Sequence, residues 1–181
     1  MTKSFFYYLS CVVCFASCNT TTSPSIEEKH ITEKVNRLYH QYGSSNEAIY
    51  RQPVSNTLFS PELKKTIETA IDVSKADIEK VKNSDHPDEK PLLFEGAIFS
   101  SLYEGYTGYT IKRINIHNNV AEVIAQFEYN LVSPKLVWTD TIQLINIDKD
   151  WKINNIIFDK KVNHSTNLTM SLNDFIRSAK Q

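Results

Sequence analysis

The sequence predicts an α+β fold, in which N-terminal helices pack on one face of an antiparallel meander sheet and a short C-terminal helix follows. Two patterns indicate this fold. Apolar residues recur every three or four positions in the first half of the chain, as on one face of a helix. From Tyr109 onward, β-rich runs are separated by turns of three residues, and strands joined so closely pair antiparallel. Helices followed by such a meander are typical of the α+β class.

The composition is that of an ordinary globular chain. It has 181 residues, of which 41% are hydrophobic and 23% charged, with a formal charge of −1. Because phosphate binding needs concentrated Lys and Arg, nucleic acid is not expected as a partner. All three cysteines lie at or before position 18, so we expect no disulfide, catalytic cysteine or Cys-based metal site in the folded domain.

Residues 1–17 are predicted to be a signal peptide. Lys3 is followed by an apolar block, Phe5 to Ala16, that only Ser10 interrupts. As a helix the block would span about 18 Å, too short for a bilayer core of about 30 Å. The alternative, a buried N-terminal helix, is disfavoured because the block is apolar on every face.

The end of this block, Phe15-Ala16-Ser17-Cys18, resembles the lipobox of bacterial lipoproteins. The resemblance implies that the Cys18 thiol carries diacylglycerol and that cleavage leaves Cys18 as the first residue. Phe15 departs from the usual Leu or Val, and cleavage as an ordinary secreted protein is the alternative. Residues 18–25 would then be the lipidated cysteine and a short polar tether. The membrane is thus an expected partner, and the periplasmic face is the expected location.

Residues 26–181 are predicted to form one domain. A capping box at Ser25 and Glu28 starts a predicted helix over 26–42, and Ser60-Pro61 starts a second over 61–82, with a break considered near Ser74. A polar loop follows over 83–91. Strands are predicted at 109–116, 120–132, 136–147 and 151–158, and a last helix is predicted to be capped by Ser171.

Three short motifs carry a family resemblance. They are Phe59-Ser60-Pro61-Glu62-Leu63, Trp151-Lys152-Ile153-Asn154-Asn155-Ile156, and Ser171-Leu172. Together with the element order, they resemble an uncharacterised family of small bacterial envelope lipoproteins of the YbjP and YqhG type. The resemblance implies a cystatin-like cone of the nuclear-transport-factor-two superfamily, over about residues 30 to 178. It also implies an envelope accessory role, or immunity against a secreted toxin.

No catalytic or metal-binding motif stands out. Enzymes of that superfamily need an acid–base pair inside the cone, and the candidates here are Glu95, Glu128, Asp140 and the nearby tyrosines. Glu128 and Asp140 are equally well interpreted as outward strand residues. The acidic loop at 85–89 lacks the calcium-loop pattern and is interpreted as solvated. We therefore expect no enzymatic activity, no cofactor and no bound metal.

The most unusual stretch is Leu102 to Tyr109, in which two glycines separate three tyrosines. Tyrosine offers a large contact area and a hydrogen-bonding tip, which suits recognition. The alternative is a turn whose rings cover the end of the cone. The candidate partner-binding residues are Tyr103, Tyr106, Tyr109 and Trp138.

The sequence therefore predicts a non-enzymatic, lipid-anchored envelope protein. It would bind a protein or peptide, such as an envelope protein or a secreted toxin. The alternative is a small-ligand carrier or enzyme that uses the interior of the cone.

Overall fold

The computed structural model describes residues 24–43 and 47–179. The predicted signal peptide and the predicted lipidation of Cys18 lie outside these residues. None of the helices in the described ranges is both long enough and apolar enough to cross a membrane.

The described residues form four helices and one sheet. In chain order the elements are α1 (Ile26–Tyr42), α2 (Glu47–Arg51), α3 (Pro61–Lys82), β1 (Gly108–His117), β2 (Val120–Tyr129), β3 (Leu136–Ile147), β4 (Asp150–Ile157) and α4 (Leu168–Ser178). The sheet order is β1-β2-β3-β4, every neighbouring pair is antiparallel, and the sheet is open. The predicted α+β class is confirmed.

Both predicted long helices have the predicted ends. The Ser25 hydroxyl accepts a hydrogen bond from Glu28 N, and the Glu28 carboxylate accepts one from Ser25 N, which completes the capping box. In α3 the Ser60 hydroxyl accepts from Leu63 N. The break considered near Ser74 is wrong, because Ser74 faces the core and its hydroxyl donates to Leu92 O at 2.7 Å, outside the helix.

Two β-bulges keep the apolar residues on one face of the sheet. In β1 the inward residues change phase between Ile111 and Ile114, and the pairing with β2 shifts at the same place. In β4 the phase changes between Ile153 and Ile156, again at a register shift. Because side chains alternate between faces, each extra residue returns the next isoleucine to the core.

One element and several boundaries differ from the sequence prediction. Strands β1 and β4 differ from the predicted ranges by one residue at each end. Strand β2 ends at Tyr129 rather than at 132. The short helix α2 was not predicted. Helix α4 begins at Leu168, because the Asn167 side chain accepts a hydrogen bond from Met170 N at 2.9 Å and so caps it, in place of Ser171.

The core lies between the helices and the inner face of the sheet. The buried residues of the sheet face are Ala121, Val123, Ala125, Phe127, Trp138, Ile142, Leu144, Trp151, Ile153 and Ile156. From α1, the side chains of Ile31, Val35, Leu38 and Tyr39 are buried against this layer. Phe127 stacks on Trp138 with ring centroids 5.6 Å apart. Large aromatic rings thus fill the centre of the domain.

Candidate functional site

The tyrosine-rich stretch belongs to the loop that leads into β1. Residues 95–107 are called the tyrosine loop below, and two glycines shape it. Gly96 and Gly105 have φ values of +68° and +86°, a region that side chains other than glycine rarely adopt. A Cβ at Gly96 would lie 2.4 Å from the Tyr103 carbonyl oxygen. The glycines therefore allow the chain to fold back on itself here.

Two of the three tyrosines pack on the core, as the alternative interpretation of this stretch expects. The Tyr106 hydroxyl donates to Tyr39 O at 3.2 Å, and its ring meets Phe127 edge-on at 5.2 Å. The Tyr109 hydroxyl donates to Asn36 Oδ1 at 2.8 Å. Burial raises the pKa of Tyr106 to about 12, so its hydroxyl stays protonated near neutral pH.

Tyr103 differs from its neighbours because 58% of its surface is exposed. Its hydroxyl donates to Glu95 Oε2 at 3.2 Å, and the Glu95 carboxylate also pairs with Lys90. The hydrogen bond and charge of Lys90 hold the pKa of Glu95 below its ordinary value. Of the three tyrosines in this stretch, Tyr103 is the most exposed.

Trp138 lies in the core, with 2% of its surface exposed. Its ring stacks on Phe127, and its Nε1–H donates to Asp140 Oδ2 at 3.3 Å. The binding role predicted for Trp138 stays a prediction, although its ring has no surface to offer a partner in this structure.

Asp140 is fully buried, so the interpretation of this residue as an outward strand residue is wrong. Its carboxylate accepts hydrogen bonds from Ser101 N at 2.9 Å, from the Ser101 hydroxyl, from Asp159 N at 3.2 Å and from Trp138 Nε1. Burial raises the pKa of Asp140, and these hydrogen bonds oppose the rise. The carboxylate thus joins the tyrosine loop, β3 and the loop after β4.

A second polar group is buried in the core. The Tyr39 hydroxyl is buried and makes no hydrogen bond with the described residues. Burial, followed by the negative charge of Asp140, raises the pKa of Tyr39 well above its ordinary value. An inward carboxyl and a tyrosine hydroxyl therefore share the interior, although aromatic rings fill the space around them.

The hairpin between β2 and β3 exposes apolar side chains that sequence reasoning missed. The end of this hairpin, residues 130–137, is called the hairpin tip below. Leu131 is 74% exposed, and Val132, Leu136 and Val137 are exposed as well. Thr107 ties the tyrosine loop to the hairpin, because Thr107 N donates to Glu128 O at 2.8 Å and the Thr107 hydroxyl accepts from Asn130 N.

A cleft of about 260 Å³ is lined in part by the tyrosine loop. Tyr103, Glu95, Ser101 and His164 are among its lining residues. Ser101 is turned toward Asp140 rather than toward the opening. Nowhere in the described ranges do three His, Cys, Asp or Glu side chains come together as metal ligands.

Comparison with known proteins adds no identity. No family model matches the chain, and no curated protein matches it. The family resemblance drawn from the three short motifs stays a prediction.

We predict that Asp140→Asn lowers the free energy of unfolding at pH 7 by about 1–3 kcal/mol, because its amide would face donors where a carboxylate accepts. The loss should grow as the pH falls from 7 toward 4. Because the folded-state pKa of Asp140 is raised, the folded wild type takes up a proton before the unfolded chain does, and it gains stability that the variant lacks.

Urea unfolding at several pH values measures this difference. Asp148→Asn is the matched control, because Asp148 is exposed and asparagine tolerates its φ of 52°. A difference between Asp140→Asn and wild type that stays constant or shrinks on acidification would contradict the argument.

Proposed function

We propose that the protein is a lipid-anchored envelope protein that binds a protein or peptide partner and performs no catalysis. The contact surface combines the hairpin tip with the exposed part of the tyrosine loop around Tyr103. An accessory role in the envelope and immunity against a secreted toxin both fit this activity, since each needs only a stable complex.

The exposed hairpin tip is the observation that carries the proposal. Four apolar side chains stand in water within one short segment, Leu131 to Val137. Leu136 and Val137 point to opposite faces of β3, and Leu131 and Val132 lie in the turn before it. Exposed apolar side chains concentrated in one segment favour contact with another molecule. Tyr103, on the neighbouring loop, adds an aromatic ring of the kind that is enriched in binding sites.

The direction of α1 supports a partner that lies away from the membrane. At the middle of α1, Lys34 Nζ lies 2.6 Å from Asp150 Oδ1, at the turn between β3 and β4, so the first half of the helix lies beyond that turn. Near its end, Tyr39 O accepts from Tyr106, at the opposite end of the sheet. The helix has 17 residues and is about 25 Å long at ~1.5 Å per residue. A lipid on Cys18 would therefore hold the end of the domain opposite to the hairpin tip.

The anchor itself makes a simple prediction. Cys18→Ser should abolish incorporation of labelled palmitate and release the protein from washed membranes, because no acyl chain can then be attached. Labelling and fractionation of cells that express the full chain measure both effects. Cys14→Ser is the control and should keep both. Label retained in the Cys18→Ser protein would contradict the anchor.

For the contact surface, we expect Leu131→Ser combined with Leu136→Ser to reduce capture of the partner by about tenfold or more, as for residues at the centre of an interface. Capture from envelope extracts of the native host, with quantitative mass spectrometry, measures the loss. Met170→Ser is the matched control, because Met170 is exposed on α4. Tyr103→Ala tests the tyrosine loop separately. Identical partner profiles for the wild type and the hairpin variant would exclude the tip as the contact.

The second candidate function is a small-ligand carrier or enzyme that uses the interior. The inward Asp140 and the unpaired Tyr39 hydroxyl favour it, whereas Phe127, Trp138 and Trp151 fill the space that a ligand would need. Native mass spectrometry of the purified protein separates the two functions. We expect the mass of the protein alone. A bound small molecule that is lost in the Tyr39→Phe variant would favour the carrier instead.

A further inference from the structure

The two edges of the sheet differ in whether other described segments of the chain cover them. The outer edge of β4 is covered on one stretch by the segment before α3, where Ser60 N donates to Ile153 O and Ile153 N donates to Leu58 O, both at 2.8 Å. Farther along, Phe158 N donates to Thr166 O at 3.1 Å. At the other edge, β1 pairs with β2 alone among the described segments.

The open edge is basic. Lys112 and Arg113 are exposed at the centre of β1, and no described acidic side chain forms an ion pair with either. The sequence has no acidic residue between Glu104 and Glu122. The ten-residue edge strand therefore combines unpaired backbone groups with two free positive charges.

We propose that the outer edge of β1 accepts an extended, acidic segment of a partner protein as an additional strand. This inference rests on the proposed partner-binding function and names the chemistry of the partner. Backbone hydrogen bonds would supply the pairing, as in other cases of strand addition. Acidic side chains of the partner would lie beside Lys112 and Arg113. Its apolar side chains would extend the half-buried row of Ile111, Ile114 and Ile116.

A second copy of this chain is the less favoured occupant. Lys112 and Arg113 occupy the middle of β1, so pairing two β1 strands around their centres would place like charges opposite each other. Charged side chains on an edge strand, lysine above all, oppose self-association. The same charges attract an acidic strand, so repulsion and attraction together select the partner.

The test uses two synthetic peptides of about ten residues, matched to the length of β1, one alternating Glu with Val and the other alternating Lys with Val. Fluorescence polarisation measures binding, and hydrogen exchange of individual amides locates it. We expect the Glu–Val peptide to bind and to slow exchange in β1, and the Lys–Val peptide not to bind.

The charge-reversal variant Lys112→Glu with Arg113→Glu should bind the Glu–Val peptide about tenfold more weakly or worse, and should gain binding of the Lys–Val peptide. Lys65→Glu with Lys75→Glu is the matched control, because these exposed lysines of α3 give the same change in net charge. The control should stay within about twofold of the wild type, since screening removes effects of distant charges.

Absence of Glu–Val binding, protection of amides outside β1, or equal losses in the two variants would each overturn the inference. Sedimentation that shows a dimer with β1 protected would also overturn it, in favour of a second copy. The proposed partner binding is tested separately, by the loss of capture in the hairpin variant. A failure of strand addition at β1 can therefore be distinguished from a failure of the proposed function.

Discussion

The buried carboxylate of Asp140 is the constraint on which one end of the domain depends, the end that carries the tyrosine loop and the hairpin tip. A charge removed from water is tolerated only where donors surround it, and Asp140 recruits them from Ser101, Asp159 and Trp138. Those donors lie on separate stretches of chain, so one side chain fixes the tyrosine loop and the loop after β4 against β3. Asn163 closes the same arrangement, because its Nδ2–H donates to Ser101 O at 2.9 Å. An apolar residue at position 140 would leave these donors unpaired.

This arrangement bears on the proposed recognition of a partner protein by the tyrosine loop. The tyrosine loop is held at Ser101 by Asp140, at Tyr106 by α1 and at Thr107 by β2, so most of its backbone is ordered before a partner arrives. Ordering a flexible loop during binding costs free energy, and a loop that is already ordered avoids that cost. The half-buried Tyr106 and Tyr109 thus support the loop, while Tyr103 is exposed on it.

The helix ends and the turns were predictable because short-range chemistry determines them. Ser25, Ser60-Pro61 and the turn at Asn118 each act within a few residues, and the structure has helix ends and a turn at these places. The bulge in β1 is visible in the sequence as a change of phase between Ile111 and Ile114. Asp140 shares a strand face with Trp138 and Ile142, and this alternation could have placed it inside. Its donors come from distant segments, which a local pattern does not contain. The Asn167 cap of α4 is a local signal that sequence reasoning missed, because its hydrogen bond reaches only to Met170 N.

The exposed groups of the described residues would give the proposed partner binding two kinds of chemistry. The segments around Phe59 and Asn167 cover one edge of the sheet. Within residues 24–43 and 47–179, no segment covers the other edge and no acidic side chain pairs with its two positive charges, while the hairpin tip carries apolar groups. An apolar tip contributes affinity through burial but discriminates poorly between partners. A charged edge contributes less affinity, yet it rejects strands of the wrong sign. A partner that meets both surfaces would be held by the first and selected by the second.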